Sequence, residues 1–299
     1  MAASPRSRPG LKLGFIVLAC VALSFIGVFV FGPSQVPKSV DPSSEPNTDL
    51  LQVLTDAPTR DALAALKDVS PATYSELDAL TERAISEGAD TQAVSELVLE
   101  ALFAQFQAQA GAIKGAGSSQ YQSVMAGLAN GFRQLEANDS AWCDGASIAD
   151  FLAQNESDLV PTLLAEFPYA SPQYDWAMGW MTTVLRAAQR GRIQPVRYAR
   201  PGFRDEAMLQ QESLALGSEQ WALGLQIAAF ANSEGTSYAK MQEVIGSMDV
   251  CELAIAVETV SERLPEEVRG RIWADLMPEI MIGNTPYVIY RVNDYFFIG

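Results

Sequence analysis

Histidine is missing altogether from this chain of 299 residues. That removes the side chain that most often serves as general base near neutral pH, and the commonest transition-metal ligand. Ser-His-Asp and Cys-His arrangements are excluded with it, so any chemistry would fall to carboxylates, Lys, Tyr or Ser. Cysteine is scarce, at three residues, and no C-x-x-C pair suggests redox turnover. Charged residues make up only 19%, below the roughly 25% usual for soluble domains. No EF-hand, P-loop, G-x-S-x-G or zinc spacing occurs, so no metal or cofactor is expected. Gly115-Ala116-Gly117 follows a helical pattern and lacks a third glycine, which excludes a dinucleotide loop.

Part of the charge deficit lies in one place. Leu13–Phe31 carries no charged residue. As a helix its 19 residues would span about 28 Å at 1.5 Å per residue, close to the roughly 30 Å hydrocarbon thickness of a bilayer. The run is too long for a cleaved signal, and Phe29-Val30-Phe31 stands where small residues would mark cleavage. Val17-Leu18-Ala19-Cys20 resembles a lipobox, but the chain stays apolar for eleven residues after Cys20. The expectation is an uncleaved anchor over residues 13–32. Arg6, Arg8 and Lys12 precede it, so the positive-inside rule puts residues 1–12 in the cytoplasm and the rest outside, in the periplasm if the cell is bacterial.

Beyond the anchor, prolines 33, 37, 42 and 46 punctuate a polar stretch that cannot pack a core. Residues 33–49 read as a tether reaching about 50 Å at most, at roughly 3.1 Å per residue. Without the three leading cations, the 20 Lys+Arg fall to 17 against 36 Asp+Glu, a balance of −19. A domain this acidic repels phosphate backbones, which argues against nucleic-acid binding.

Residues 50–286 read as one all-α, multi-helical domain of about 9–11 helices. Ser70-Pro71 and Ser171-Pro172 place a capping hydroxyl before a proline suited to the first turn. Asp90 opens a run with Val94, Leu97, Val98, Leu102 and Phe106 at three- and four-residue steps. Gly88 and Gly191 stand where helices would stop, and Ser118 or Ser119 where one would start. Further helices are expected at about 119–137, 146–154, 205–215, 218–231, 237–246, 249–263 and 265–277. Residues 120–133 and 173–186 share Gln, Tyr, Met and Arg at a fixed offset, a weak sign of duplication. The tail over 287–299 changes character: Tyr287, Tyr290, Tyr295, Phe296 and Phe297, with a turn-like Asn293-Asp294, read as a short β-hairpin.

If the domain lies outside, Cys143 and Cys251 form an even pair in an oxidising compartment, and a structural disulfide between them is expected. Two catalytic patterns are incomplete. Ser237-Tyr238-Ala239-Lys240 matches the S-x-x-K serine–lysine pair of penicillin-binding proteins and β-lactamases, but the S-D-N and K-T-G elements are missing. Glu212-Ser213 with the later "SEQWALGLQI" resembles the lytic transglycosylase pattern, with a short spacing and one residue missing before Gln226. Ser237 as an ordinary helix cap also explains the first pattern, and an amphipathic helix containing Trp221, Leu225 and Phe230 explains the second.

The most distinctive charge feature is a run of six arginines, at 186, 190, 192, 197, 200 and 204, with no Asp or Glu between Trp176 and Arg204. It could complement a helix C-terminus and the acidic remainder, or form a guanidinium patch for anionic headgroups, glycan carboxylates or an acidic partner. With the tail aromatics, which suit interface cores, it makes the expected interaction surface. The expected role is therefore a membrane-anchored, extracytoplasmic scaffold, adaptor or accessory subunit of an envelope complex, binding protein partners without catalysis. The alternatives are a peptidoglycan-active enzyme using Glu212 or Ser237 with Lys240, or a helical domain that binds a small ligand.

Overall fold

The computed structural model describes residues 53–152, 156–217, 219, 222, 246–284, 287, 288, 291, 292, 294 and 295. Among them there are eleven α-helices and no strand. They are α1 Ala57–Val69, α2 Pro71–Ser86, α3 Thr91–Ala108, α4 Ala110–Ile113, α5 Ser118–Ala137, α6 Gly145–Leu152, α7 Glu156–Glu166, α8 Pro172–Ile193, α9 Phe203–Leu216, α10 Val250–Arg263 and α11 Glu266–Met281. The expected all-α class is what forms.

The centre is an antiparallel pair, α5 and α8. The Trp176 and Trp180 indoles on α8 donate to the Gly127 and Val124 carbonyls of α5, at 2.9 and 3.2 Å. Helices α1, α3 and α4 lie against α8, while α10 and α11 pack on α5. Tyr121, Val124, Met125 and Leu128 of α5 are sealed from water, as are Tyr174, Met178, Val184 and Leu185 of α8. Burial of such side chains stabilises by about 1.5–3 kcal/mol each, before conformational entropy is charged against it. The two segments with shared Gln, Tyr, Met and Arg are therefore the facing helices of the core, with both tyrosines and both of the matching methionines buried.

Helix α1 runs parallel to α8. At one end Thr55 and Asp56 donate backbone N–H groups to the Tyr169 hydroxyl, and the Thr59 hydroxyl donates to that of Tyr174. At the other end, Arg192 donates to the Val69 carbonyl at 3.1 Å. Helix α10 is antiparallel to α5, because Cys143 just after α5 is bonded to Cys251 in the first turn of α10. Thus α1, α8 and α10 all start at the same end of the molecule.

Several local expectations need correction. The 287–299 hairpin does not form among the described residues: 287, 288, 291, 292, 294 and 295 are helical. Tyr287, Arg291 and Tyr295 recur every four residues, which puts them on one helical face, where all three reach Asp275. Their aromatic content suggested strand, and tertiary pairing overrides that propensity. Gly191 does not stop α8, which runs on to Ile193. Pro278 does not end α11 at 277: it removes one ladder N–H, but its carbonyl accepts from the Ile282 N–H at 3.2 Å and the helix reaches Met281. Helix α5 starts after Gly117, and the Ser118 hydroxyl accepts from Arg269 in place of capping. Ser70 is the residue before α2, but its hydroxyl meets that of Thr73 at 2.9 Å and caps no N–H.

Other expectations hold. Ser171 accepts from the Tyr174 N–H, Asp90 accepts from the Ala93 N–H, and Gly88 takes the left-handed φ of +93° after α2. The helices expected at 218–231 and 237–246 fall almost wholly outside the described residues, as do the anchor and tether. No helix among the described residues is long and apolar enough to cross a membrane.

Candidate functional site: an arginine strap

Between α8 and α9 the chain runs without regular structure from Gln194 to Gly202. Exposed connections are often mobile, but this one is tied down at successive points. The Gln194 N–H donates back to the Arg190 carbonyl at 2.8 Å, closing α8. The Val196 N–H donates to the Gly115 carbonyl at 2.9 Å. Just before it, Gly191 is pressed on the turn after α4, where a Cβ would lie 2.2 Å from the Ala112 carbonyl oxygen. Two residues after Val196, Tyr198 turns inward. Its ring lies 6.3 Å from that of Tyr121 and covers Gly270 of α11, where a Cβ would fall 2.4 Å from the ring. Burial pushes the Tyr198 hydroxyl above its ordinary pKa, against the Ser118 N–H that donates to it. At the far end, Asp205 accepts the Gly202 N–H at 3.0 Å and binds Arg271 with both oxygens, at 2.7 and 2.9 Å. Burial raises the Asp205 carboxyl, but the Arg271 bonds and the Gly202 N–H outweigh it and hold the group below its ordinary value.

What this strap presents outward is cationic and apolar together. Arg186, Arg190, Arg192, Arg197, Arg200 and Arg204 are all exposed. Arg192 is occupied: it donates to the Val69 carbonyl and to the Gln109 side chain, closing the C-terminal end of α1. The other five make no ion pair among the described residues, so the acidic remainder does not neutralise them there. Beside them stand Ile193 at 64% exposure, Val196 at 43% and Phe203 at 81%. All three lie within one stretch of eleven residues.

The remaining expected site residues lie elsewhere. The Cys143–Cys251 disulfide is present, with α-carbons 4.9 Å apart and Cys251 sealed from water. An antiparallel bridge between Asp144 and Asp249 and the Gly145 N–H bond to the Met248 carbonyl run alongside it. Asp249 and the two sulfurs are close enough to suit a metal, but disulfide sulfurs are not thiolate ligands. Tyr295 is buried and donates to Asp275 at 2.7 Å, while Arg291 bridges Asp275 and Asp294. Tyr287 is half-buried and donates to Asp275 at 3.2 Å. These groups join the tail to α11. Tyr290, Phe296 and Phe297 lie outside the described residues, and so do Ser237 and Lys240. Glu212 is half-buried on α9.

A shallow groove of about 460 Å³ follows the α5–α8 seam. Asn130, Gln134, Asp175, Trp176 and Thr183 are among its walls, and Glu212 is not. Both indole N–H groups there are already used by α5 carbonyls. No protein-family profile, no curated protein and no solved structure matches this chain.

Sequence reasoning missed which arginine is structural and which apolar residues accompany the rest. The first depends on where the end of α1 falls, a long-range fact. The second had a partial signal in Phe203, an aromatic placed between two arginines at a helix start.

Proposed function

We propose that the chain is a membrane-anchored, extracytoplasmic helical scaffold, an adaptor or accessory subunit of an envelope complex, and that it acts by binding rather than by catalysis. The observation that carries this reading is the strap with its flanking helix ends, a restrained stretch whose Arg186, Arg190, Arg197, Arg200 and Arg204 make no ion pair among the described residues and which also exposes Phe203, Ile193 and Val196. A segment already ordered before contact loses little further conformational entropy on binding. Arg and aromatic side chains are also the ones that dominate binding energy at protein interfaces. The apolar run over residues 13–32, read as an anchor, and the disulfide, favoured in oxidising compartments, support the location.

Chemical crosslinking of the full chain in its native membrane, followed by identification of the products, tests the role. Discrete adducts with envelope proteins are expected, and recovery of the chain only as an uncrosslinked monomer would overturn the reading. Deleting 287–299 is a poor probe, since it removes Tyr295 and Arg291 from their network around Asp275.

A further inference from the structure

We infer that the strap is the docking surface for an acidic protein segment, one that presents carboxylates around at least one apolar side chain. This rests on the scaffold reading above and adds the chemistry of the partner. Two observations lead to it.

The first is charge complementarity. The chain is strongly acidic, yet every cationic residue from Arg186 to Arg204 is arginine, and no Asp or Glu interrupts the run. The planar guanidinium fork binds a carboxylate through two parallel hydrogen bonds and is weakly hydrated, so it suits a contact from which water is excluded. A diffuse headgroup attraction needs only charge, and Lys would serve it as well.

The second is the apolar component. Phe203 is 81% exposed and Ile193 is 64% exposed, flanking Arg197 and Arg200 in the chain. A purely anionic glycan offers nothing to cover them. A protein segment with an apolar side chain among its carboxylates would.

The test uses the full-length chain in its native membrane, with Phe203 replaced by the photo-reactive p-benzoylphenylalanine. After irradiation the crosslinked peptide is isolated and sequenced. The expected product is a protein adduct whose crosslinked peptide is net negative. Its yield should fall at least tenfold when Arg197→Glu, Arg200→Glu and Arg204→Glu are combined, with the urea midpoint of the variant unchanged. A lipid adduct, a neutral or basic peptide, or a yield indifferent to charge reversal would overturn the assignment. The same probe at exposed Leu80 of α2 separates the two readings. Protein adducts from Leu80 but not from position 203 would remove the strap assignment and leave the scaffold. No adduct from either position would remove both.

Discussion

The groups that cap helices at the two ends of the α5–α8 pair carry opposite charges. At the end where α1, α8 and α10 begin, Asp56 and Asp249 accept backbone N–H groups as caps. The Cys143–Cys251 bridge closes the same end. At the opposite end, Arg192 caps α1, and Arg269 faces three carbonyls around the end of α10, at 3.4–3.5 Å. Carboxylates at N-termini and guanidiniums at C-termini are what the helix dipoles favour, each worth about 0.3–1 kcal/mol near the surface. That accounts for Arg192 and Arg269. It does not account for Arg197, Arg200 and Arg204, which lie past the end of α8 and cap no helix among the described residues. The comparison thus separates the arginines that hold helix ends from those that make no ion pair among the described residues.

The sharpest way to break this contrast is to open the covalent end. Replacing Cys143 and Cys251 by Ser should lower unfolding free energy by about 4.7 kcal/mol, the chain-entropy figure for a closed loop of about 100 residues. Urea denaturation reads this directly, and an unchanged midpoint would mean that the bridge does not constrain the unfolded chain. A smaller loss is expected from the strap end. Gly191→Ala would push a methyl group into the Ala112 carbonyl, costing about 1–3 kcal/mol as an overpacking change. It should also make the Arg197–Tyr198 bond more susceptible to trypsin, because the same contact fixes the path of the strap.

Smaller still, the two ends should respond to pH with opposite sign. Asp205, at the strap end, has a lowered pKa. Its stabilisation is present above the unfolded value of about 3.9 and fades as pH falls through the folded value. The deficit of Asp205→Asn relative to the parent chain should therefore shrink toward pH 2. Asp175, at the other end, has a raised pKa, chiefly from burial and then from Asp56. Its charge opposes folding above its folded pKa, so Asp175→Asn should raise the thermal midpoint at pH 7 and leave it unchanged at pH 3. The smallest effect on stability belongs to Arg197→Ser, Arg200→Ser and Arg204→Ser combined. Exposed side chains without partners should move the urea midpoint by no more than about 0.5 kcal/mol equivalent, while partner crosslinking is lost. A larger drop would mean that the strap arginines hold the fold after all.

Much of the helical framework was legible from local signals. Asp90 and Ser171 cap as their positions imply, and Gly88 ends α2 as only a residue tolerant of positive φ does readily. Helix α1 was overlooked although Asp56 and Pro58 carry the same N-terminal chemistry. The tail misled because aromatic density was weighed above the four-residue step of Tyr287, Arg291 and Tyr295. Gly191 misled for a related reason. Its lack of a side chain serves a close approach to the turn after α4, 75 to 79 residues earlier in the chain, and no local pattern marks that.

The sequence by itself determined the apolar run before residue 33, the acidic balance, the all-α class, the even pair of cysteines and the run of arginines. Each follows from composition or from periodicity over a few turns, because helix formation and capping are local. Only the tertiary structure decided that Cys143 and Cys251 meet, that Arg192 is occupied while its neighbours make no ion pair among the described residues, and that Phe203 stands open to water. It also decided that the arginines emerge at the end of α8 farthest from where the described chain begins. Those facts depend on which residues distant in sequence come together, and close packing settles that for the whole core at once.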